Sequence, residues 1–162
     1  MLKASILTIS DKGFIGERED ITGKIIKEML KKNGYQVSYY KIIPDDIDKI
    51  ADELIKNSDE LKVDLILTNG GTGFSKRDVT PEATKQVIQK EVPGISEAMR
   101  IKSMEVTPKA ILSREISGIR NSTLIINLPG SPKGASENLH VVMPVLKHGI
   151  DILKGNAKEC AR

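Results

Sequence analysis

The sequence predicts a single three-layer α/β domain with a mostly parallel sheet and helices on both faces. Strand-like and helix-like segments alternate along the chain, and the strand-like segments are apolar almost without interruption. Nearly continuous apolar strands are typical of parallel sheets covered on both faces, and the intervening helices provide the crossovers that such sheets need. No linker-like, repeated or low-complexity segment divides the 162 residues, so we expect one domain over 1–162.

The first part of the chain alternates between β-rich runs and amphipathic helical patterns. Ala4 to Ser10 predicts a buried strand, and apolar residues then recur at helical spacing over 21–30. Asp20 is a candidate N-cap for this helix and Gly34 a candidate stop. The pattern repeats with a strand, a helix and a strand over Gln36–Ile43, 47–55 and Val63–Thr68.

The middle of the chain predicts two more helices. Thr80-Pro81 has the residue types expected for an N-cap and a first helical position. A further helix is predicted from about Gly94 to Glu105. The stretch from Ala110 to Ser122 is less periodic and predicts a short strand followed by a turn.

The last part of the chain predicts one buried strand and one long helix. Thr123 to Leu128 is entirely of the buried strand type and ends in Pro129-Gly130-Ser131-Pro132. Apolar residues at helical spacing over 139–153 predict the final helix. We expect Pro144 to kink this helix or to divide it in two.

Composition and charge exclude several function classes. A formal charge of +3, with three tyrosines, two phenylalanines and no tryptophan, does not support nucleic-acid binding. No apolar run reaches the roughly 18 residues of a membrane span. The first residues lack the apolar region and cleavage site of a signal peptide, so we expect a cytoplasmic protein without a membrane partner. The only cysteine, Cys160, is interpreted as a tolerated tail residue.

Three loops qualify as parts of a ligand site. In an open parallel sheet, ligands bind beyond the carboxyl ends of the strands. The loops at these ends are Ser10-Asp11-Lys12-Gly13, Gly70–Asp78 and Pro129–Gly134. Each of them contains glycine and at least one basic residue. We therefore expect an anionic small molecule to bind where they meet.

The segment Gly70-Gly71-Thr72-Gly73 favours ligand binding over an ordinary turn. Closely spaced glycines allow positive φ and a close backbone approach, and their N–H groups can bind an anion. A tight strand-to-helix turn is the alternative, but it rarely needs three glycines in four residues. Neither a Walker A sequence nor a GxGxxG motif after the first strand is present.

Two aspartates are candidate Mg²⁺ ligands. Asp78 follows Lys76-Arg77, whose cations can neutralise phosphate, and Mg²⁺ prefers oxygen donors beside substrate phosphates. Asp78 could equally be a favourable charge at a helix N-terminus. In Pro44-Asp45-Asp46 at least one aspartate is expected to cap the helix that begins near Ile47. The residues alone leave both alternatives open.

Several ordered motifs resemble the molybdopterin adenylyltransferase family, which includes the MogA and MoaB proteins and the G domains of gephyrin and its plant counterpart. The most specific are Thr68-Asn69-Gly70-Gly71-Thr72-Gly73 and Arg77-Asp78-Val79-Thr80-Pro81-Glu82-Ala83. The others occur in the family's order along nearly the whole chain, at 8–11, 20–23, 43–45, 110–114 and 128–133. The loop 128–133, LPGSPK, is more similar to the MogA and gephyrin form.

The resemblance implies a reaction in molybdenum cofactor biosynthesis. Molybdopterin and ATP, with Mg²⁺, would give adenylyl-molybdopterin and pyrophosphate. The resemblance assigns Asp45 and Asp78 to catalysis and to Mg²⁺. It also implies substrate contacts, with Lys12 as a further candidate, from Ser10, Asp11, Gly70, Gly71, Thr72, Gly73, Arg77, Thr80, Pro129, Gly130, Ser131, Pro132 and Lys133.

The resemblance also implies an oligomeric state and a downstream partner, and it leaves alternative functions open. The expected assembly is a homotrimer, with a hexamer as the form known in the MoaB branch, and a molybdenum insertase would act downstream. An insertase domain of the same fold is disfavoured by the RDVTPEA continuation after the glycines. A MoaB-type paralogue of weak activity and a non-catalytic pterin-binding scaffold are the alternatives.

Overall fold

The computed structural model describes residues 1–156, and Cys160 lies outside them. It has one six-stranded sheet, so the predicted mostly parallel α/β fold is confirmed. The strands run in the order β2-β1-β3-β6-β5-β4. Their bounds are β1 Leu2–Ile9, β2 Tyr35–Ile43, β3 Leu65–Asn69, β4 Lys90–Glu91, β5 Ser117–Arg120 and β6 Thr123–Leu128.

The first four strands in this order are parallel, and β5 and β4 add an antiparallel edge. From the central β1, the chain proceeds to β2 on one side and then to β3 on the other. This change of direction is the topological switch point at which open α/β sheets bind ligands. The sheet therefore predicts a site at the carboxyl ends of β1 and β3.

Helices cover both faces of the sheet. They are α1 Asp11–Phe14, α2 Ile21–Lys32, α3 Ile47–Ile55, α4 Thr80–Val87, α5 Pro93–Met104 and α6 Pro132–Leu153. A π-helical turn, Lys56–Glu60, continues α3, and a 3₁₀ turn, Pro108–Leu112, follows α5. Within residues 1–156 no helix is both long enough and apolar enough to cross a membrane.

The core consists of two apolar clusters, one on each face of the sheet. Side chains such as Ile6 and Leu67 pack with α2, α5 and α6 on one face. Leu7, Ile66 and neighbours pack with α3 and α4 on the other. Alternate residues of β1 and β3 thus point into opposite layers, which explains why these strands are apolar throughout.

The predicted N-cap of α4 is wrong, and Pro144 has only one of the two effects expected of it left open. The N-cap of α4 is Val79, and Thr80 is the first helical residue. The Thr80 hydroxyl does not cap the helix because it donates to the Gly70 carbonyl at 2.9 Å. Pro144 lies inside α6 without dividing it, and the alternative, a kink at this proline, stays a prediction. The carbonyl that loses its helical donor belongs to the exposed His140, where water can satisfy it.

Candidate active site

A cleft of about 580 Å³ lies at the carboxyl ends of β1, β3 and β6. All three loops predicted from the sequence contribute to it, and Asp45 adds the end of β2. The predicted residues that line the cleft are Ser10, Asp11, Lys12, Asp45, Gly70, Gly71, Asp78, Gly130, Ser131 and Pro132. The structure therefore brings these residues together from four separate parts of the chain.

The two glycines after β3 are held in conformations that need glycine. Gly70 has φ of 98° and Gly71 has φ of 67°. A Cβ on Gly70 would lie 2.3 Å from the carbonyl oxygen of Ile9. A Cβ on Gly71 would lie 2.3 Å from the Thr80 hydroxyl and 3.1 Å from a carboxylate oxygen of Asp45. Bare backbone here lets the loop pack against β1 and leaves space beside Asp45.

Thr80 holds the glycine loop through two hydrogen bonds. Its side chain is completely buried, and its hydroxyl donates to the Gly70 carbonyl. Its backbone N–H donates to the Gly71 carbonyl at 3.1 Å. The start of α4 is thereby tied to the glycine loop. The predicted substrate contact of Thr80 stays a prediction, since the group that it contacts here is backbone.

Asp45 and Asp46, the two aspartates after β2, make different contacts. A carboxylate oxygen of Asp46 accepts from the Lys49 N–H at 3.0 Å and caps α3. Asp45 instead faces the cleft, where its Oδ2 accepts from the Asp11 N–H at 2.9 Å. In return, Oδ1 of Asp11 accepts from the Asp45 N–H at 3.0 Å. Asp46 therefore caps α3, and Asp45 is not needed for capping.

Asp45 lies in a negatively charged environment. Partial burial raises its pKa, and the nearby carboxylates of Asp11 and Asp78 raise it further, while a hydrogen bond from the Asp11 backbone lowers it. Such a carboxylate gains by binding a cation, because a cation offsets both the loss of hydration and the repulsion that raise the pKa. The charges around Asp45 therefore favour a cation beside it.

Arg77 forms an ion pair with Asp11. Its Nε and Nη2 donate to the two carboxylate oxygens of Asp11, each at 2.9 Å. The fork-shaped contact holds the pKa of Asp11 below its usual range. Both side chains remain substantially exposed, so the guanidinium is accessible to a phosphate group.

Asp78 is fixed by its own loop. Its Oδ2 accepts from the Ser75 N–H at 3.0 Å, so the side chain closes the loop rather than capping α4. Arg114 holds the same loop from outside, donating to the carbonyls of Gly73 at 2.7 Å and Asp78 at 2.8 Å. Arg114 also pairs with Glu82. The Asp78 carboxylate therefore has a defined position at the cleft.

The loop after β6 brings the N-terminus of α6 to the cleft. Ser131 is the N-cap of this 22-residue helix and accepts from the Gly134 N–H at 3.1 Å. A Cβ on Gly130 would lie 3.3 Å from the Gly70 Cα, so the two loops pack backbone against backbone. N–H groups and the helix dipole at such a position favour an anion.

Other predicted residues lie outside the cleft lining. Thr72 is buried, and its carbonyl accepts from the Arg114 N–H at 2.9 Å. Gly73 contributes its carbonyl to Arg114. Pro129 faces a neighbouring cavity, and the exposed Lys133 lies 3.9 Å from Glu137. Substrate contacts by these residues stay predictions.

A polar network around Asp20 was not predicted as part of the site. The sequence indicated only its N-cap role, which is confirmed by its bond from the Gly23 N–H at 2.8 Å. The Asp20 carboxylate also accepts from Tyr40 and Thr8, and Thr8 accepts from Asn69 at 2.9 Å. Polar residues inside otherwise apolar strands were the signal that could have identified it.

The donor set fits Mg²⁺ bound together with substrate. Among residues 1–156 no three or more His, Cys, Asp or Glu side chains form a ready-made metal cluster. Mg²⁺ is often held by only one or two carboxylates plus substrate phosphates and water. Asp45 and Asp78 are two carboxylates that line one cleft with the backbone of Gly70 and Gly71, and their oxygens have the donor chemistry of that mode.

Comparisons with known proteins agree with this geometry. Residues 5–148 match the family described as a probable molybdopterin binding domain. A molybdopterin adenylyltransferase of Helicobacter pylori is 46% identical over 155 residues, which cover 93% of this chain and 87% of the relative. That of Escherichia coli K12 is 38% identical over 156 residues, covering 92% and 80%.

A solved structure extends the likeness to the whole fold. The crystal structure of the molybdopterin biosynthesis enzyme MoaB from Thermus thermophilus superposes with a TM-score of 0.91 at 49% identity. The superposition covers 96% of this chain and 98% of that chain. The match of fold, sequence and cleft leads to one conclusion: the chain belongs to the molybdopterin-binding family that includes the molybdopterin adenylyltransferases.

Proposed function

We propose that this chain is a molybdopterin adenylyltransferase of molybdenum cofactor biosynthesis. An oxygen of the terminal phosphate of molybdopterin forms a bond to the α-phosphorus of ATP. The bond from that phosphorus to the α–β bridging oxygen breaks, and pyrophosphate leaves with the electron pair. The products are adenylyl-molybdopterin and pyrophosphate.

One observation carries this proposal. Two carboxylates, Asp45 and Asp78, face the same cleft as the bare backbone of Gly70 and Gly71 and the N-terminus of α6. Phosphoryl and nucleotidyl transfer depend on positioning and on neutralising charge, more than on a covalent nucleophile. The cleft combines carboxylates for a metal with N–H groups for phosphate oxygens.

The residues have distinct parts in this reaction. Asp45 and Asp78 would hold Mg²⁺, which neutralises charge on the phosphates when bound. The loop N–H groups and α6 bind phosphate oxygens and keep the two substrates in line. Arg77, with its accessible fork of donors, stabilises negative charge that develops toward the departing pyrophosphate.

Pyrophosphate release on mixing molybdopterin with Mg-ATP tests the proposal. We expect release that requires both substrates and stops when EDTA removes the divalent cation. Binding of molybdopterin without any release would identify a pterin-binding scaffold instead. A MoaB-type paralogue of weak activity would release pyrophosphate only at a small fraction of the rate of an active family member assayed in parallel.

We further propose that the chain acts in the cytoplasm as a homotrimer and passes its product to a molybdenum insertase. An exposed apolar surface on α5 and the following 3₁₀ turn, formed by Ile101, Met104 and Ile111, supports assembly. Light scattering should give three times the chain mass. Ile101→Glu should lower that mass, and an unchanged trimer would place the interface elsewhere.

A further inference from the structure

The loop that carries Asp78, residues 73–78, is held with little help from packing. Residues 74–77 are exposed, and the large apolar side chain of Phe74 is 73% exposed. A loop that buries so little apolar surface gains little from the hydrophobic effect. Hydrogen bonds must therefore define where its main chain lies.

Arg114 provides hydrogen bonds to both ends of this loop. Its backbone N–H donates to the Thr72 carbonyl at 2.9 Å. Its Nε donates to the Gly73 carbonyl at 2.7 Å, and its Nη2 donates to the Asp78 carbonyl at 2.8 Å. The remaining nitrogen, Nη1, pairs with Glu82 in the first turn of α4, which orients the guanidinium. One residue thus connects the first and the last peptide of the loop.

The position of the Asp78 carboxylate depends on these two ends. Its Oδ2 accepts from the Ser75 N–H at 3.0 Å. A Cβ on Gly73 would lie 2.9 Å from the same oxygen, so the side chain crosses the loop close to the Gly73 backbone. A shift of either end would therefore move this carboxylate relative to Asp45, with which it lines the cleft.

We propose that Arg114 is a positioning residue for adenylyl transfer, which acts through Asp78 on the affinity for the divalent cation. Arg114 does not itself line the cleft. Mg²⁺ demands near-ideal octahedral geometry, and functional groups must be held within about 0.5 Å of their productive positions. This inference rests on the proposed function, because that function supplies Mg²⁺ and ATP.

The contacts of Arg114 need the shape of a guanidinium as well as its charge. The group presents five N–H donors in a fixed fork, so it can reach two carbonyls and a carboxylate at the same time. A lysine ammonium carries the same charge on a single nitrogen and cannot span both ends of the loop. Arg114→Lys therefore separates positioning from a general effect of positive charge.

The experiment measures cation binding to Arg114→Lys with and without turnover. Mn²⁺ replaces Mg²⁺ as the probe, since it takes the same oxygen ligands. We expect electron paramagnetic resonance titration, with α,β-methylene-ATP present, to show Mn²⁺ affinity reduced roughly 10- to 100-fold. The Mg²⁺ concentration for half-maximal pyrophosphate release should rise by a similar factor. Hydrogen exchange at the Ser75 N–H should become faster.

Arg120→Lys is the matched control. Arg120 donates from Nε and Nη2 to the Asp59 carboxylate at 2.9 and 2.6 Å, and from Nη1 to the Val87 carbonyl at 3.0 Å. It thus joins a carboxylate to main chain, as Arg114 does, but none of these three residues lines the cleft. Its Mn²⁺ affinity should stay within about twofold of wild type. Equal weakening in both variants would assign the effect to stability and overturn the role of Arg114.

Glu82→Ala provides a second test that leaves Arg114 in place. It removes the carboxylate that orients the guanidinium, so Mn²⁺ affinity should fall roughly two- to fivefold. Thermal unfolding of each variant shows whether it folds. Wild-type Mn²⁺ affinity in Arg114→Lys, or in Glu82→Ala if the first variant does not fold, overturns the inference.

The outcome is separable from that of the proposed reaction, because Mn²⁺ binding requires no turnover. A protein that binds Mn²⁺ in an Arg114-dependent manner but releases no pyrophosphate would refute the adenylyl transfer alone. Pyrophosphate release with the same Mg²⁺ requirement in Arg114→Lys and wild type would refute the positioning role alone.

Discussion

Asp11 and Asp45 exchange hydrogen bonds, each carboxylate accepting from the other's backbone N–H at 2.9 and 3.0 Å. This exchange joins the loop after β1 to the loop after β2 and sets two carboxylates side by side. Arg77 neutralises Asp11, whereas Asp45 has a raised pKa. Asp45 is therefore the carboxylate in this pair that has the most to gain from a metal ion.

Asp45→Asn should reduce adenylyl transfer by at least about 100-fold, since an amide oxygen is a poor substitute for a carboxylate as a Mg²⁺ ligand. Asp46→Asn is the matched control. It also removes one negative charge, and asparagine caps a helix as well as aspartate does. Initial rates of pyrophosphate release, with thermal unfolding of each variant, measure the difference. Equal rates in the two variants would make Asp45 a structural residue.

Asp78→Asn should cause a loss of similar size while leaving the fold intact. The loop bond from the Ser75 N–H can be made to the amide oxygen, so only the charge is removed. Isothermal titration with molybdopterin should show affinity within about threefold of wild type. Wild-type turnover by this variant would remove Asp78 from the mechanism.

Arg77→Ala should raise the pKa of Asp11 toward its usual range, because the bidentate contact that lowers it is lost. Carbon-13 NMR titration of the Asp11 carboxyl group follows this directly. The KM for ATP should increase roughly tenfold through loss of a phosphate contact. If the pKa of Asp11 moves while the KM stays constant, Arg77 only holds the loops together.

Gly71→Ala should damage the site, whereas Gly34→Ala should cost only stability. Both glycines have positive φ, but a Cβ at Gly34 meets nothing within 4 Å. The change at Gly34 therefore isolates the backbone strain of about 1 kcal/mol. At Gly71 the methyl group collides with Thr80 and crowds Asp45, so molybdopterin binding should also weaken. Chemical denaturation and equilibrium titration of both variants separate strain from site damage.

Glu115 should make stability fall as pH rises. Its pKa is raised from 4.5 to about 7, so between these values the folded chain binds more protons than the unfolded chain. The free energy of unfolding consequently decreases over that interval, by an amount on the order of 3 kcal/mol, and the loss is complete above about pH 7. Glu115→Gln should lack this loss. Urea denaturation of both proteins from pH 4 to 8 tests it, and a pH-independent difference between them would contradict the raised pKa.

Local sequence signals predicted the elements whose ends are fixed by local chemistry. Asp20 and Gly34 bound α2 as expected, because a cap and a left-handed glycine act on adjacent backbone. The π-helical turn after α3 had no such signal. Its buried Asn57 donates to the Glu53 carbonyl and accepts from Ser5, which lies in β1. A contact over that distance in sequence cannot be inferred from periodicity.

The same distinction applies to the site. The cleft residues that directly follow strands could be predicted, because a parallel sheet brings strand ends together. The resemblance then favoured a catalytic role for Asp45, and the structure separates it from the capping residue Asp46. The burial of the Glu115 carboxyl group gave no sign in the sequence, since the residues that donate hydrogen bonds to Glu115, Asn138 and Arg100, belong to two helices distant in sequence.

The register of the central strands has a consequence for folding. Thr8 pairs with Asn69, and Asn69 with Leu128, so the loops of the cleft end at one level. A slip of one residue in either pairing would turn every side chain of the strand to the opposite face of the sheet. The loops of the cleft would then no longer end at the same level. Since Thr8 and Asn69 are 61 positions apart, the site cannot exist in a partly paired chain. Substrate therefore binds only the fully paired sheet, and a destabilised variant should recover folded population, by mass action, when substrate is added.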